Sequence, residues 1–194
     1  MHAEAALAAP WPEPVPEVTP DMALTGIHHV SAITGSVEEA DAFYTQALGL
    51  RLVKKSVNQD APQVPHWFWA GYDGREVAPH SSLTFFGWPR GGRQARGGAG
   101  QMHHVAFRAA DAEQQLEWRD HLLSLGVQVT PVLDREYFQS IYFRAPDGLL
   151  LEIATDGPGF AVDEPEEALG SSLRLPPWLE TERGRIEAGL APLR

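Results

Sequence analysis

Cysteine is absent from the 194 residues, which excludes disulfides, thiolate metal sites and cysteine nucleophiles. Basic residues are few, since 15 Lys and Arg face 26 Asp and Glu, and the formal net charge of −11 argues against a nucleic-acid partner. No apolar run approaches the ~20 residues that a membrane span needs, and residues 1–20 lack the basic start and apolar core of a signal peptide. We therefore expect a cytoplasmic protein that binds neither nucleic acid nor membrane.

A repeated His-His-Val sequence organises the chain. It occurs at His28-His29-Val30 and again, 75 positions later, at His103-His104-Val105. An acidic amphipathic segment that ends in Leu-Gly follows each copy, and short β-like runs come after it. A repeat of this length is typical of one supersecondary unit used twice, because each unit leaves an apolar face that the other covers.

Apolar periodicity predicts the order β-α-β-β-β in both halves, and hence an α+β fold of two paired units. Ser36 with Glu39 has the capping-box spacing for the first helix. In the second helix, over 111–125, Leu116, Leu122 and Leu123 form the expected apolar stripe together with the stem of Arg119. The predicted strands are 26–34, 51–57, 66–72 and 81–88 in the first half, and 101–109, 127–133, 139–144 and 149–154 in the second.

Composition divides the chain into five segments. They are a Pro/Ala-rich extension (1–22), a first unit (23–89), a Gly/Arg linker (90–100), a second unit (101–160) and a C-terminal tail (161–194). A phosphate-binding loop is the alternative for 90–100, but the segment lacks the Gly-Lys-Ser/Thr pattern. The tail is expected to contain short helices, one of them over 178–190, and to pack back through Leu173, Leu175 and Trp178.

Strand alternation points to three potential metal ligands. His29 and His104 occupy matching positions of the two units, so a pseudo-twofold pairing would let them approach each other across a cupped mixed sheet. Two imidazoles need a third, anionic ligand for a facial triad. Glu152 is a lone acid in the apolar run 149–154, where burial is costly unless the carboxylate is paired or metal-bound. A single strand histidine is more often structural, but two copies plus this acid favour a metal site.

The segment Ala145-Pro146-Asp147-Gly148-Leu149 predicts a three-residue hairpin loop, a type I turn closed by glycine. This loop pairs 145 with 149, and therefore Tyr142 with Glu152 on one face. Arg135 would enter from the preceding loop, so that Arg135 and Tyr142 form a cationic, hydrogen-bonding wall for an anionic substrate. His66, His80 and His121 are expected to be structural or solvated, with a pocket position as the alternative for His66.

Several of these segments resemble one known family. They are Gly26–Gly35, Leu83–Pro89, Leu133–Phe143, Glu152–Phe160 and the Leu-Pro-Pro-Trp-Leu run at 175–179. They resemble the vicinal oxygen chelate superfamily, built from paired βαβββ units around a metal, and within it the ring-cleaving dioxygenases that open hydroquinones. The resemblance implies Fe(II), or alternatively Mn(II), and a small aromatic diol with O2 as substrates.

By position in these motifs, the resemblance implies that His29, His104 and Glu152 are the metal ligands. The residues that match positions around the metal and in the substrate pocket are His28, His103, Arg135 and Tyr142. Ser31 stands where the family pattern often has Thr, which keeps the hydroxyl.

The resemblance has one large departure, because the family normally has four units and this sequence has two. The missing units would leave apolar surface uncovered, so we predict a homodimer that restores a four-unit assembly. Two rival functions are a glyoxalase-type isomerase or lyase and a non-catalytic small-molecule-binding protein of the same fold. The first usually takes an acid from each unit, and the strand 81–88 has none; the second commonly lacks the metal triad.

Overall fold

The computed structural model describes residues 19–88 and 98–190. Most of the predicted extension and most of the predicted Gly/Arg linker lie outside these ranges. Within them, no helix is both long enough and apolar enough to cross a membrane.

The first half of the chain folds as a βαβββ unit, as predicted. Its elements are β1 (His29–Thr34), α1 (Val37–Gln46), β2 (Arg51–Val57), β3 (Pro65–Ala70) and β4 (Ser82–Gly87). The sheet order is β1-β4-β3-β2, with β1 parallel to β4 and the other pairs antiparallel. The predicted cap of α1 is present, because Ser36 Oγ accepts the Glu39 N–H at 3.2 Å.

The second half repeats this topology. Its elements are β5 (Val105–Arg108), α2 (Ala112–Ser124), β6 (Leu133–Asp134), β7 (Phe138–Arg144) and β8 (Leu150–Pro158). The order β5-β8-β7-β6 again has the first strand parallel to the last and at the edge of the sheet. The α+β architecture of two βαβββ units is therefore confirmed, and each unit has its own four-stranded sheet.

The helix-bearing faces of the two sheets share one hydrophobic core. Tyr44 of α1 lies with its ring 4.9 Å from that of Phe85, and both side chains are fully buried. Leu122 of α2 belongs to the same cluster as Ile141 and Ile153 of the second sheet. Because apolar side chains from both units join this cluster, the core holds the two halves together.

The predicted apolar stripe of α2 is wrong. Leu116 and Leu123 are 50% and 41% exposed, and only Leu122 of the predicted set is fully buried. The polar Gln115 is buried instead, and its Nε2 donates to one backbone carbonyl of β7 and one of β8, each at 2.8 Å. These two hydrogen bonds satisfy buried carbonyls and fix the rotation of α2, which apolar periodicity alone does not reveal.

The strand predicted over 127–133 is reduced to the two residues of β6. Thr130 explains the interruption, because its hydroxyl, rather than a backbone carbonyl, accepts the Tyr142 N–H at 3.0 Å. A side chain in this role replaces a rung of the ladder and ends regular pairing.

The tail also departs from prediction. The helix expected over 178–190 is split into a 3₁₀ helix (Pro177–Glu182) and α3 (Arg183–Gly189), and Trp178 is exposed while Leu173 and Leu175 are half-buried. Three further 3₁₀ turns are Pro20–Met22, Phe160–Val162 and Glu166–Ala168.

Candidate metal centre and substrate wall

The two histidine pairs have the same local geometry. The Nδ1 atoms of His28 and His29 lie 2.9 Å apart, and those of His103 and His104 lie 2.8 Å apart. In both pairs the ring centroids are 5.1 Å apart and the rings are nearly perpendicular. Because Nδ1 of the second histidine is engaged by its neighbour, its Nε2 is the nitrogen that remains to bind a further partner.

In the second unit that partner is Glu152. His104 Nε2 lies 2.8 Å from Glu152 Oε2, although the Glu152 side chain is only 2% exposed. The other carboxylate oxygen accepts a hydrogen bond from Ser140 Oγ. A buried carboxylate is thus held between an imidazole and a hydroxyl, and both of its oxygens have a polar partner.

Ser140 was not singled out by the sequence analysis. It stands two residues before Tyr142 in β7, and therefore on the same face of the sheet as Glu152. The alternation that placed Tyr142 could have found it.

Tyr142 lies directly opposite Glu152, as the hairpin predicted. The predicted turn is present: the Ala145 N–H donates to the Leu149 carbonyl at 3.0 Å, and Gly148 has φ +88°. The Tyr142 ring meets the His104 ring edge-on, with centroids 5.9 Å apart. The phenol therefore stands beside the imidazole–carboxylate pair.

Arg135 reaches this group from the loop between β6 and β7. Its guanidinium carbon lies 5.2 Å from the centre of the Tyr142 ring. The loop is tight, because Glu136 has φ +69° and donates its N–H to Asp134 Oδ1 at 2.8 Å. A side-chain turn of this kind fixes the backbone from which Arg135 projects.

The first unit has no acid at the equivalent position. Ser31 pairs with Thr84 in the same register as Ala106 with Glu152, so Thr84 is the counterpart of Glu152. Thr84 Oγ1 lies 2.8 Å from Ser31 Oγ and 3.0 Å from His66 Nε2. Burial, and secondarily the nearby His29, lowers the pKa of His66. His66, expected to be structural, thus belongs to a polar cluster on the face that carries His29.

The structure brings some predicted site residues together and leaves others apart. His103, His104, Glu152, Tyr142 and Arg135 form one group in the second unit. His28 and His29 lie in the first unit, and no group of three or more metal-binding side chains occurs within residues 19–88 and 98–190.

A cavity of about 690 Å³ lies next to this group but does not contain the His104–Glu152 pair. It is lined by Phe43 of α1, the segment 126–130 and residues of β7 and β8 that include Tyr142. Of the residues in the candidate group, Tyr142 is the one that also lines this cavity.

Comparison with known proteins identifies the family. Residues 26–153 match the model of the Glyoxalase/Bleomycin resistance protein/Dioxygenase superfamily. The chain belongs to this superfamily. Its two βαβββ units are thus the architecture that the resemblance implied.

Curated relatives give a finer comparison. The chain is 39% identical over 176 residues to the Bacillus subtilis protein named "Putative ring-cleaving dioxygenase MhqO", with 91% of the chain and 52% of the relative covered. It is 34% identical over 174 residues to the chlorohydroquinone/hydroquinone 1,2-dioxygenase of Sphingobium indicum, with 88% and 50% covered. The chain thus spans about half the length of these relatives.

Solved structures agree with the fold. A B. subtilis crystal structure described as a putative dioxygenase has a TM-score of 0.54 at 26% identity, covering 87% of this chain and 97% of that one. A glyoxalase/bleomycin resistance protein/dioxygenase domain from Frankia has a TM-score of 0.58 at 17% identity, covering 69% and 99%, and shows the fold alone.

Proposed function

We propose that the protein is a metal-dependent ring-cleaving dioxygenase that inserts O2 into a hydroquinone- or catechol-type aromatic diol. The observation that carries the proposal is the buried Glu152 carboxylate facing His104 Nε2 at 2.8 Å, beside a phenol and a guanidinium. The two relatives named as ring-cleaving and hydroquinone dioxygenases support the reaction class.

The residues that would hold the metal are His104 and Glu152, with His29 as the third ligand. Two neutral imidazoles and one carboxylate suit Fe(II) or Mn(II). The chemistry of this donor set fits, because Glu152 Oε2 lies 2.8 Å from His104 Nε2, while Ser140 contacts the other Glu152 oxygen and His103 contacts Nδ1 of His104. Such a metal, when bound, supplies Lewis acidity and a path for charge between a diol and O2.

The remaining side chains would bind and orient the diol. Arg135, stacked on the Tyr142 ring, supplies positive charge for a diol that has lost a proton. The Tyr142 hydroxyl can donate a hydrogen bond to the same substrate oxygen. His28 or His103 would exchange the diol proton, because imidazole is the side chain that most often acts as a general acid or base in enzymes.

Thr84 weighs against the isomerase or lyase alternative. A site of that kind takes an acid from each unit, and the position equivalent to Glu152 in the first unit is Thr84, whose hydroxyl is engaged by Ser31 and His66. The Thr84 hydroxyl cannot take the place of the carboxylate base that such a site requires. The non-catalytic alternative is disfavoured because binding proteins of this fold commonly lack the metal triad, whereas this sequence carries His29, His104 and Glu152.

The proposal is tested by metal content and oxygen uptake of anaerobically purified protein. We expect iron or manganese near one per chain, and oxygen consumption on adding hydroquinone, methylhydroquinone or catechol. His104→Ala and Glu152→Ala should abolish both signals. Glu164→Gln is the matched control, because Glu164 is a buried acid paired with Arg174 and hydrogen-bonded to Gly170 N–H in the tail, apart from the candidate centre.

Bound metal without oxygen uptake for any of the three diols would contradict the dioxygenase and favour the isomerase or lyase. Protein that binds no metal would leave the binding-protein alternative.

A further inference from the structure

The position of the Arg135 guanidinium depends on the backbone that carries it. The guanidinium lies over the Tyr142 ring, and no residue within 19–88 and 98–190 forms an ion pair or a hydrogen bond with it. A flexible side chain with one such contact loses much rotamer freedom when it is held in a single place. The contact with Tyr142 therefore persists only if the loop over 135–137 presents Arg135 at the right point.

The loop over 135–137 is an irregular turn. The Arg135 N–H donates to the Phe138 carbonyl at 2.9 Å, and the Tyr137 N–H donates to the Arg135 carbonyl at 2.8 Å. Between them Glu136 has φ +69°, in the left-handed region that residues with a Cβ rarely adopt. A strained backbone of this kind persists only where the surrounding structure holds it. The Asp134 carboxylate supports the start of the turn, and the chain that follows β8 supports its end.

The chain that follows β8 folds back onto this loop. It turns at Gly159, whose φ of +101° and ψ of 164° are essentially restricted to glycine. The Gly159 N–H donates to the Tyr137 carbonyl at 2.8 Å. The Phe160 ring then packs against the Tyr137 ring, with centroids 5.7 Å apart, and stands edge-on to the Phe138 ring at 6.4 Å. Phe160 thus packs against the last residue of the loop and the first residue of β7.

The Tyr137 phenol gives the same segment a polar contact. Its hydroxyl donates to Asp163 Oδ2 at 3.3 Å. Burial, and then the charge of Asp163, raises the pKa of this phenol, so the hydroxyl keeps the proton that it donates. Tyr137, two residues after Arg135, is therefore held through its carbonyl, its ring and its hydroxyl by residues 159–163.

Phe160 makes these contacts although it lies at the surface. It is 64% exposed, so it contributes little to the hydrophobic core. Trp178, in the same tail, is 59% exposed and makes no aromatic-ring contact with any residue of the described ranges. Phe160 and Trp178 thus form a matched pair, because both are large exposed aromatic residues and only Phe160 packs on the Arg135 loop.

We propose that Phe160 is a positioning residue for Arg135: its ring, packed on Tyr137 and Phe138, holds the loop in the conformation from which the guanidinium reaches the substrate. The inference rests on the proposed function, in which Arg135 supplies positive charge for the deprotonated diol. Phe160 acts through the loop backbone, and its described ring contacts include no predicted metal ligand. Its substitution should therefore weaken substrate binding and leave metal binding unchanged.

The first measurement concerns the loop itself and needs no activity. Amide hydrogen exchange of the metal-free protein is followed by NMR for the Arg135 and Tyr137 N–H groups, which form the hydrogen bonds of the turn. Phe160→Ala should speed their exchange by about threefold to tenfold, the factor that an aromatic pair contributes to an equilibrium. Phe160→Tyr keeps the ring and should exchange at the wild-type rate, as should Trp178→Ala.

The second measurement tests whether the loop acts through Arg135. With metal-loaded protein and hydroquinone, Phe160→Ala should raise KM by about threefold to tenfold, while kcat and Mn(II) stoichiometry stay at the wild-type values. Phe160→Tyr should restore the wild-type KM, and Trp178→Ala should keep it. In an Arg135→Ala background, where the guanidinium is absent, Phe160→Ala should raise KM no further.

Each result decides a stated claim. Unchanged amide exchange in Phe160→Ala would show that Phe160 does not hold the loop. Faster exchange with an unchanged KM, or an equal rise in KM with and without Arg135, would show that the loop does not act through Arg135. A wild type that consumes no oxygen with any of the three diols would contradict the proposed function, and the amide exchange would still show whether Phe160 holds the loop.

Discussion

Replacing Glu152 by Gln should abolish metal binding while leaving the free energy of unfolding of the metal-free protein nearly unchanged. The carboxylate is 2% exposed, and removing its charge from water costs several kcal/mol in real proteins. Against this cost stand the hydrogen bond from Ser140 and the contact with His104, each worth about 1.5–3 kcal/mol to a charged group. The two contributions nearly cancel, so the metal-free protein gains little stability from the charge.

Glu152→Gln keeps an acceptor for Ser140 and offers His104 an amide N–H. We therefore expect the metal-free variant to lie within about 1 kcal/mol of the metal-free wild type. The difference appears on adding metal. A ligand at 100 times its Kd stabilises the folded state by about 2.7 kcal/mol. For a chain of this length that raises the wild-type Tm by about 5–11 °C, and the Tm of the variant should not rise.

Differential scanning calorimetry with and without Mn(II) measures both quantities. Glu164→Gln is the control, because it removes a buried carboxylate paired with Arg174 and should keep the Mn(II)-induced rise. The reasoning would be refuted by a metal-free Glu152→Gln protein destabilised by more than about 3 kcal/mol. It would equally be refuted if that variant kept the rise in Tm.

Two further substitutions test the surroundings of the centre, and a third tests the hairpin turn. Ser140→Ala leaves one Glu152 oxygen without its hydrogen-bond donor. Urea unfolding should therefore show a loss of about 1–3 kcal/mol in the free energy of unfolding, and metal titration should show an affinity lower by about tenfold or more. Unchanged metal affinity would contradict the orienting role of Ser140. Arg135→Lys keeps the positive charge but loses the guanidinium that lies over the Tyr142 ring. Steady-state kinetics should therefore show a raised KM for the diol, with kcat largely unchanged. A fall in kcat alone would argue against substrate binding by this residue. Burial raises the pKa of Asp147 above its unfolded value, so the neutral carboxyl, which the folded protein tolerates, is fully present at pH 3 and is lost as pH rises through the folded pKa. Asp147→Asn should therefore have the same free energy of unfolding as the wild type near pH 3 and a larger one at pH 7. A variant with a smaller free energy of unfolding at pH 7 would contradict this.

Local structure could be predicted from the sequence wherever residues adjacent in the chain determine the backbone geometry. The Asp147-Gly148 turn needs a left-handed residue at one position, and glycine there fixes the loop length. Loop length in turn fixes the register, so the pairing of Tyr142 with Glu152 followed from five residues of sequence. The contact of Arg135 with Tyr142 followed from that register.

Contacts between elements could not be predicted in the same way. The burial of Gln115 depends on two carbonyls in strands that lie far along the chain, and hydropathy gives a glutamine no reason to face a core. The short β6 depends on the Thr130 hydroxyl replacing a backbone acceptor. Both departures arise from side-chain hydrogen bonds to the backbone.

The position of His29 shows the same limit at the level of the site. Sequence symmetry indicated that the two histidine pairs correspond, and their matched Nδ1 distances agree with this. Symmetry does not tell whether corresponding points meet within one chain or between two. The helix-bearing faces of the two units pack into one core, which lies opposite the faces that carry the histidine pairs, and the sequence repeat does not specify this packing.

The most direct test of the dioxygenase is the fate of labelled oxygen. Metal-loaded protein is given hydroquinone or catechol under ¹⁸O₂, and the ring-opened acid is analysed by mass spectrometry, with Glu152→Gln as the inactive control. The account predicts that the carboxylate of the ring-opened product carries ¹⁸O from O2 and that the control forms no product. A product whose carboxylate carries no ¹⁸O, or equal product from Glu152→Gln, would contradict it.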